Sequence, residues 1–149
     1  MKRGFSFEFE PPSGWTEFEE GGRLVFHGPI GEELILSGWN VAGSATAQDI
    51  SRTRERLVAN AIASMERALE TPDVEVAVPL HQGRTCGGLR RWTVQARTKD
   101  DRSQFFQSAI EGEQGVLLVT LEAPPSPHLS ALFETFVSEI RATASTIVS

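Results

Sequence analysis

The sequence predicts an α+β fold, an α/β/α sandwich in which a mostly antiparallel sheet of about six or seven strands carries one helix on each face. Two segments show the three- and four-residue spacing of amphipathic helices. Shorter segments alternate like strands, and most are joined by connections too short for a parallel crossover. The stretch "GVLLVTLE" is apolar on both faces, which indicates a strand covered from both sides.

Three strands are predicted before the first helix. The stretch "FSFEFE" places Phe5, Phe7 and Phe9 at alternate positions, the period of a strand with one buried face. "PPSGW" then turns the chain, because its prolines lack a backbone donor and its glycine allows unusual dihedral angles. "GGRLVFHG" and "EELILSGWNV" supply the second and third strands, joined by a glycine- and proline-containing connection.

A long helix follows, and both of its ends are marked in the sequence. Thr46 is the predicted N-cap, with Asp49 three residues later in the manner of a capping box. Pro72 ends the helix within a few residues of Leu69. Between these limits the apolar stripe consists of Ile50, Leu57, Val58, Ala61, Ile62, Met65 and Leu69.

Four strands and a second helix complete the predicted order βββ-α-ββββ-α. The strands are expected at residues 74–80, 91–97, 102–110 and 115–122. Pro79 indicates that the first of them is an edge strand or that the proline occupies the strand's last ladder position. Ser126 is the predicted cap of the closing helix, with Pro127 in its first turn. The apolar stripe of this helix is formed by Leu129, Leu132, Phe133, Phe136, Val137 and Ile140. Residues 1–149 are expected to form a single domain.

The composition excludes several classes of function. A formal net charge of −6 disfavours a nucleic-acid binder, which needs a basic surface. Cys86 is the only cysteine, so an intramolecular disulfide and a multi-cysteine metal site are excluded. No apolar stretch approaches the roughly 20 residues that span a bilayer, and no signal-peptide run follows the first residues. We therefore expect a cytoplasmic protein without a cofactor, and the preference for arginine over lysine suggests a bacterial source.

Charge is distributed unevenly along the chain. Residues 8–33 hold seven glutamates and one basic residue, Arg23, whereas residues 84–102 hold six basic residues and two aspartates. The two segments could attract each other across the fold or be solvated separately. Alternatively, the second segment forms a basic patch for an acidic partner.

Candidate catalytic groups are few. His81 and nearby arginines could lower the pKa of the Cys86 thiol, but "HQGRTCGGLRR" has the glycines of a hairpin end and offers no third orienting residue. His27, His81 and His128 lie on separate elements without metal-ligand spacing, so no metal site is predicted. A thiol enzyme is kept as an alternative that requires Cys86 to lie beside His81.

Aromatic and arginine side chains on the predicted strands form the candidate binding set, because these types dominate interface hot spots. If one face of the sheet is only partly covered, they would form an aromatic floor whose arginines select an acidic or polar partner. If both faces are covered, Phe105 and Phe106 belong to the core. The candidate partner-binding residues are Trp39, Arg91, Trp92, Arg97 and Phe106.

The element order, with "PSGW" (residues 12–15) after the first strand and "LFETFVSEIRA" in the closing helix, resembles the PsbP-like superfamily. That superfamily includes the extrinsic photosystem II subunit, a Ran-binding nuclear import factor, periplasmic or lipoprotein relatives, and chaperones for type VI secretion effectors. The resemblance extends over nearly the whole chain. It implies an α/β/α sandwich with an antiparallel sheet whose members mostly bind other proteins and rarely catalyse.

The function expected from this resemblance is that of a non-catalytic protein-binding domain, acting as a scaffold, adaptor or secretion-associated chaperone. Its partner would be another protein or, as a homodimer, a second copy. The alternative is a small-molecule carrier or cyclase-like enzyme of the helix-grip fold, which encloses an apolar cavity of at least roughly 300 Å3. The sandwich instead fills this space with Phe133, Phe136 and the stripe that contains Met65.

Overall fold

The computed structural model describes residues 2–41 and 46–143 and contains two sheets and two helices. A seven-stranded sheet has the order β3-β4-β5-β9-β8-β7-β6, and a three-stranded sheet has the order β1-β2-β10. The elements are β1 (Lys2–Gly4), β2 (Phe7–Phe9), β3 (Thr16–Glu20), β4 (Arg23–His27), β5 (Glu33–Asn40), α1 (Ala47–Leu69), β6 (Val74–Arg84), β7 (Arg90–Thr98), β8 (Gln104–Glu111), β9 (Gly115–Ala123), α2 (Leu129–Ser138) and β10 (Arg141–Ala142).

The large sheet is formed by two antiparallel meanders. The first runs through β3, β4 and β5, and the second runs through β6, β7, β8 and β9. They join where β5 pairs with β9, from Glu33 opposite Glu122 to Asn40 opposite Gly115. The helix α1 crosses from the end of the first meander to the far edge of the second. The predicted fold class and the crossover are confirmed.

The long helix begins and ends as its sequence predicts. The Oγ1 atom of Thr46 accepts a hydrogen bond from the Asp49 backbone N–H at 3.2 Å, and it donates to Asp49 Oδ2 at 2.8 Å. The last helical residue is Leu69, three residues before Pro72. Its apolar stripe buries Val58, Ala61 and Met65 against one face of the large sheet.

The opposite face of the large sheet is covered by α2 together with the small sheet. Phe133, Phe136 and Val137 of α2 share one core cluster with Phe7 and Phe9 of β2. Phe9 makes an edge-to-face contact with Phe26 of β4 at 6.3 Å and a tilted contact with Phe136 at 6.0 Å. A helix therefore lies on each face, but only this face also carries a second sheet.

The first predicted strand is confirmed only over Phe7–Phe9, which lies in the small sheet. Residues 5–10 do not form one strand of the large sheet, because Phe5 and Ser6 have φ angles of 56° and 66°. They form a two-residue turn that folds β1 back on β2, with Gly4 opposite Phe7. The actual first strand of the large sheet is β3, in the acidic stretch "TEFEE", whose side chains are all exposed.

The start of the second helix and the placement of the charged segments also differ from expectation. The helix begins at Leu129 with His128 at the cap position, while Ser126 Oγ accepts the His128 backbone N–H at 3.3 Å before the helix starts. The acidic and basic segments lie toward opposite edges of the large sheet, which are about 29 Å apart at about 4.8 Å per strand. Arginines of the basic segment pair instead with Glu75, Glu111 and Glu134.

The turn at Phe5 and Ser6 gives a stability prediction. Residues other than glycine are strained at positive φ, and the Phe5 side chain is held against Gly38, where a β-carbon would collide with it. The Ser6 carbonyl accepts a hydrogen bond from the Thr143 backbone N–H at 3.0 Å, a contact that any residue at position 6 can make. We expect Ser6→Gly to raise the free energy of unfolding by about 0.5–1 kcal/mol.

Urea denaturation of wild type and Ser6→Gly measures this effect. Ser13→Gly is the control, because Ser13 lies in an exposed turn outside the hairpin and should gain nothing. A Ser6→Gly variant less stable than wild type would contradict the expectation that glycine removes backbone strain at this position.

Candidate functional site

The five candidate residues do not form one surface. Side chains alternate along each strand, and the register places Trp39 and Trp92 on the face of the large sheet that carries α1. Arg91, Arg97 and Phe106 point to the opposite face, which carries α2. The aromatic floor with a basic edge that the sequence suggested is therefore absent as a single surface among the described residues.

Arg91 and Phe106 are part of the packing under α2. The Arg91 side chain is only 5% exposed, and its two terminal nitrogens donate to the Glu134 carboxylate at 2.9 and 3.0 Å. Its Nε donates to Thr93 Oγ1 at 3.1 Å. Phe106 is buried, with its ring 5.4 Å from that of Phe133. Both side chains already have intramolecular partners.

The remaining three candidates are more accessible than Arg91 and Phe106, each to a different degree. Trp92 packs against the apolar stripe of α1, and the Arg90 guanidinium lies 5.2 Å from its ring centroid. Arg97 is half exposed and lies 3.6 Å from the carboxylate of Glu75. Trp39 is 44% exposed. Of the predicted set, Trp39 is the large aromatic side chain that a partner can reach.

The surface around Trp39 exists because α1 covers only part of its face. The helix packs against β6, β7, β8 and β9, while α2 and the small sheet lie on the opposite face. Among residues 2–41 and 46–143, the α1-side surface of β3, β4 and β5 is therefore left beside the helix, and we call it the open half-face. Val25 at its centre is buried, and its side chains are those of Thr16, Phe18, Glu20, Arg23, Val25, His27, Glu33, Ile35, Ser37 and Trp39.

The open half-face carries large apolar side chains at both of its sides. Phe18 on β3 is 45% exposed, and its ring centroid lies 4.8 Å from that of His27. Ile35 of β5 lies opposite Val25, which in turn lies opposite Phe18, and Ile35 is half-buried on the same strand as Trp39. Exposed phenylalanine and tryptophan on one sheet face are typical of a docking surface. Phe18 was not identified from the sequence, because the stretch that contains Phe18 was not predicted to be a strand.

A groove runs between the open half-face and α1. It encloses about 340 Å3, and β5 contributes Trp39 to its lining. Trp39 closes one side, and the other side is formed by the helix face of Leu57, Asn60, Ala61, Ser64 and Arg67. The mixture of apolar and small polar side chains suits a protein segment laid along the helix.

Both edges of the large sheet are protected against pairing with another strand. The edge strand β6 has register shifts between Val76 and Val78 and between Val78 and His81, and it contains Pro79. The other edge, β3, presents three glutamates among five residues. Bulges, proline and charge are the features that discourage strand addition. The accessible binding surface is thus a face of the sheet rather than an edge.

A second groove lies on the opposite face, beside α2. It encloses about 440 Å3, and the predicted turn "PSGW" contributes to its wall. The lining includes Pro11, Pro12, Trp15, Leu132 and Phe136, with carboxylates at Glu10 and Glu139. Like the first groove, it lies at the side of a helix and not beneath one.

The space between the sheet and its helices is filled, as the sandwich prediction requires. Phe133, Phe136 and Met65 are buried, and Phe7 and Phe9 fill the gap between α2 and the first meander. The two grooves exceed roughly 300 Å3, but exposed residues such as Asn60 and Glu139 line them, so they are surface features. The enclosed chamber that the helix-grip alternative requires is not found among the described residues.

The geometry gives no support to a thiol enzyme. Cys86 is exposed in the β6–β7 loop, where its backbone N–H donates to the Ser138 carbonyl at 2.7 Å. His81 is paired in β6 with Thr93, about 10 Å of extended strand before the loop, and its Nδ1 lies 3.0 Å from the Pro79 carbonyl oxygen. Over residues 2–41 and 46–143 no group of three or more metal-ligating side chains is found.

Comparison with known proteins defines the fold. No protein-family model matches the sequence, and a search of curated proteins found no significant relative. Among solved structures, cyanobacterial PsbP (CyanoP) from Synechocystis sp. PCC 6803 is similar with a TM-score of 0.58 at 18% identity, covering 92% of this chain and 86% of that chain. The chain has the PsbP-like fold. The resemblance predicted from "PSGW" and the element order is confirmed for the fold.

Two further solved structures are similar to this chain. LpqN from Mycobacterium tuberculosis, described as involved in cell envelope biogenesis, has a TM-score of 0.53 at 12% identity over 93% of this chain and 83% of its own. A protein from Bacteroides thetaiotaomicron VPI-5482 has a TM-score of 0.52 at 14% identity over 94% of this chain, which spans only 46% of that protein. Neither helix of the described chain has the length and apolar character needed to cross a bilayer.

Proposed function

We propose that this protein is a non-catalytic binding domain that docks another protein on the open half-face and in the groove beside α1. The observation that carries the proposal is the pair of exposed aromatic side chains, Phe18 and Trp39, on the part of the sheet that α1 leaves uncovered. The proposal keeps the scaffold, adaptor or secretion-chaperone role suggested by the sequence and moves its contact surface to β3–β5.

Three features support a binding role over a catalytic one. The buried space that a carrier or cyclase would use is filled by phenylalanine side chains. The buried arginine Arg91 is engaged by Glu134. The PsbP-like fold is shared with CyanoP and LpqN, and the sequence resemblance implies that proteins of this kind mostly bind other proteins. The domain is proposed to act in the cytoplasm, as the sequence suggested.

Cross-linking from the open half-face tests the proposal. A photoactivatable phenylalanine analogue at position 18, in cells of the source organism, should give one or a few discrete protein adducts. The same analogue at Val78, an exposed apolar residue of β6 on the other face of the sheet, is the matched control and should not give them. Trp39→Ala should reduce the position-18 adducts at least tenfold, because a buried tryptophan anchor contributes 2 kcal/mol or more at an interface.

Two results would reject this surface. Adducts that form equally from positions 18 and 78 would show non-specific contact, and adducts insensitive to Trp39→Ala would show that the groove is not used. The folded state of each variant is checked by its thermal midpoint, which should be nearly unchanged because both side chains are half exposed.

A further inference from the structure

We infer that the groove beside α2 is a second docking site, and that its ligand is a protein segment in which lysine or arginine is flanked by apolar side chains. We call this site the α2 groove. One wall is formed by residues 10–13 and 15, and the other by residues 131, 132, 135, 136 and 139 of α2 and its C-cap. The inference goes beyond the proposed function, which concerns the open half-face on the other side of the sheet.

The first wall of the α2 groove is a hydrogen-bonded turn. The Trp15 backbone N–H donates to the Pro12 carbonyl at 3.3 Å, and Gly14 has a φ angle of 80°, as the third position of a type II turn requires. The Trp15 ring packs against Gly28, where a β-carbon would lie 2.9 Å from the Cε2 atom of the ring. A wall that is already ordered in this way loses little conformational entropy when a ligand binds.

The second wall is a stripe along one side of α2. From position 131 to position 139 it covers about 12 Å, at about 1.5 Å per helical residue. This length matches about three to four residues of an extended chain, at about 3.4 Å each. Leu132 is half-buried and Phe136 is buried, and they lie beside the exposed Ala131 and Thr135. The wall therefore offers an apolar contact surface that suits a short segment.

The charged side chains described in the α2 groove are both carboxylates. Each wall contributes one, Glu10 next to the turn and Glu139 at the end of the helix. Over residues 2–41 and 46–143 neither carboxylate makes a hydrogen bond or an ion pair, and both are exposed. Arg141, the basic residue nearest to Glu139 in the sequence, lies beside Gly87 and does not line the groove. Both negative charges are therefore available to a ligand.

Two further features of the groove favour a cation. The helix α2 ends at Ser138, and its last turn contains no basic residue. A helix carries about half an elementary negative charge at its C-terminus, so a cation near Glu139 is stabilised. The face of the Trp15 indole attracts a cation as well. The carboxylates, the helix end and the indole thus act with the same sign, and they are complementary to a lysine or arginine side chain.

The same charges argue against other occupants of the α2 groove. Two copies of the chain docked through it about a twofold axis would place Glu10 and Glu139 near the same carboxylates of the mate. Nucleic acid and anionic lipid would be repelled. The aliphatic stems of lysine and arginine can lie along Leu132 and Phe136 while their charged ends reach the carboxylates. A cationic side chain within an apolar protein segment uses both properties of the groove.

A displayed library of random peptides, selected on the purified full chain, tests this inference. Peptides that bind wild type are counter-selected against Ala131→Phe, which fills the α2 groove with a neutral ring and so does not itself select for charge. Ala59→Phe is the matched control, because Ala59 is exposed on α1 and lines neither groove. The retained peptides should carry lysine or arginine among apolar residues, bind Ala59→Phe normally and lose affinity as salt is raised.

The carboxylates are tested with the double variant Glu10→Gln/Glu139→Gln. It should weaken a retained peptide by about tenfold or more, because the cation of the peptide loses both of its partners. The control Glu55→Gln/Glu66→Gln removes the same charge from exposed positions of α1, on the other face of the sheet, and should change affinity by less than about twofold. All four side chains are exposed, so the thermal midpoints should stay close to that of wild type.

Four results would overturn the inference. The retained peptides could be neutral or anionic, or the carboxylate variant could bind them as its control does. The selection could yield no peptide that distinguishes Ala131→Phe from Ala59→Phe. Finally, dimerisation of the free chain that Ala131→Phe abolishes would assign the α2 groove to a second copy.

A residue-specific measurement keeps this inference separate from the proposed function. In an NMR titration a retained peptide should shift the indole N–H resonance of Trp15 and leave that of Trp39 unchanged, and Trp39→Ala should bind it with unaltered affinity. A shift at Trp39 instead would assign the peptide to the open half-face and reject the α2 groove. Failure of the cross-linking from position 18 would reject the open half-face alone, because the two grooves have different linings on opposite faces of the sheet.

Discussion

Replacing Phe9 by alanine should lower the free energy of unfolding by about 3–5 kcal/mol, the cost of a cavity left by a fully buried ring. Phe9 is fully buried and contacts both Phe26 of β4 and Phe136 of α2. Its removal should therefore loosen the small sheet, the large sheet and α2 together. Urea denaturation followed by circular dichroism measures the change.

Phe18→Ala is the matched control for this experiment. The side chain removed is the same, but Phe18 is 45% exposed on the open half-face, so a loss below about 1 kcal/mol is expected. If both variants lose the same stability, the small sheet is not part of the core that the structure shows.

Glu134→Ala should cost about 2 kcal/mol of stability, because it leaves the buried Arg91 guanidinium without its carboxylate. Breaking a fully buried pair costs about 3–5 kcal/mol, and the value here is lower because the Glu134 side chain is 61% exposed and water can partly replace it. Arg91→Met is the control and should cost less, since methionine fills the site and Glu134 is solvated. The free energy of unfolding should therefore be lower for Glu134→Ala than for Arg91→Met.

The same ion pair predicts a dependence on pH. Hydrogen bonds from Arg91 hold the pKa of Glu134 below its ordinary value of 4.5, helped by the attraction of that guanidinium and opposed by burial. A lowered folded pKa means that the stabilisation is present above pH 4.5 and is lost as the pH falls through the folded value. The stability difference between wild type and Glu134→Gln should therefore shrink between pH 6 and pH 3, and a constant difference would contradict this assignment.

The elements with strong local signals were predictable from the sequence. The helix α1 carries its own cap and a regular apolar stripe, and β9 is apolar on both faces because α1 and α2 lie on its two sides. The β1–β2 hairpin was missed because Phe5 and Ser6 lack the glycine or asparagine typical of such turns. The strand β3 was missed because it is exposed on both faces and so has no apolar alternation.

The candidate site was less predictable, for reasons of topology. Arg91 and Glu134 are far apart in the sequence and meet only because α2 packs on β8 and β9, beside β7, so an arginine predicted to lie at the surface is buried. Which strands α1 leaves uncovered depends on the sheet order, in which β5 pairs with β9. Trp39 was identified from its residue type. Its neighbours on the surface, Phe18 and Ile35, are brought near it only by the strand order of the sheet.

The pairing of β10 with β2 has a consequence for biosynthesis. Arg141 lies opposite Glu8 and Ala142 opposite Phe7, so β2 is completed by a strand that is synthesised long after it. Until α2 and β10 have emerged from the ribosome, Phe7 and Phe9 lack part of their cover, and closing so long a stretch of chain is entropically costly. The nascent polypeptide thus completes its native core only after α2 and β10 have been synthesised, and before then Phe7 and Phe9 are a surface that a ribosome-associated chaperone would encounter.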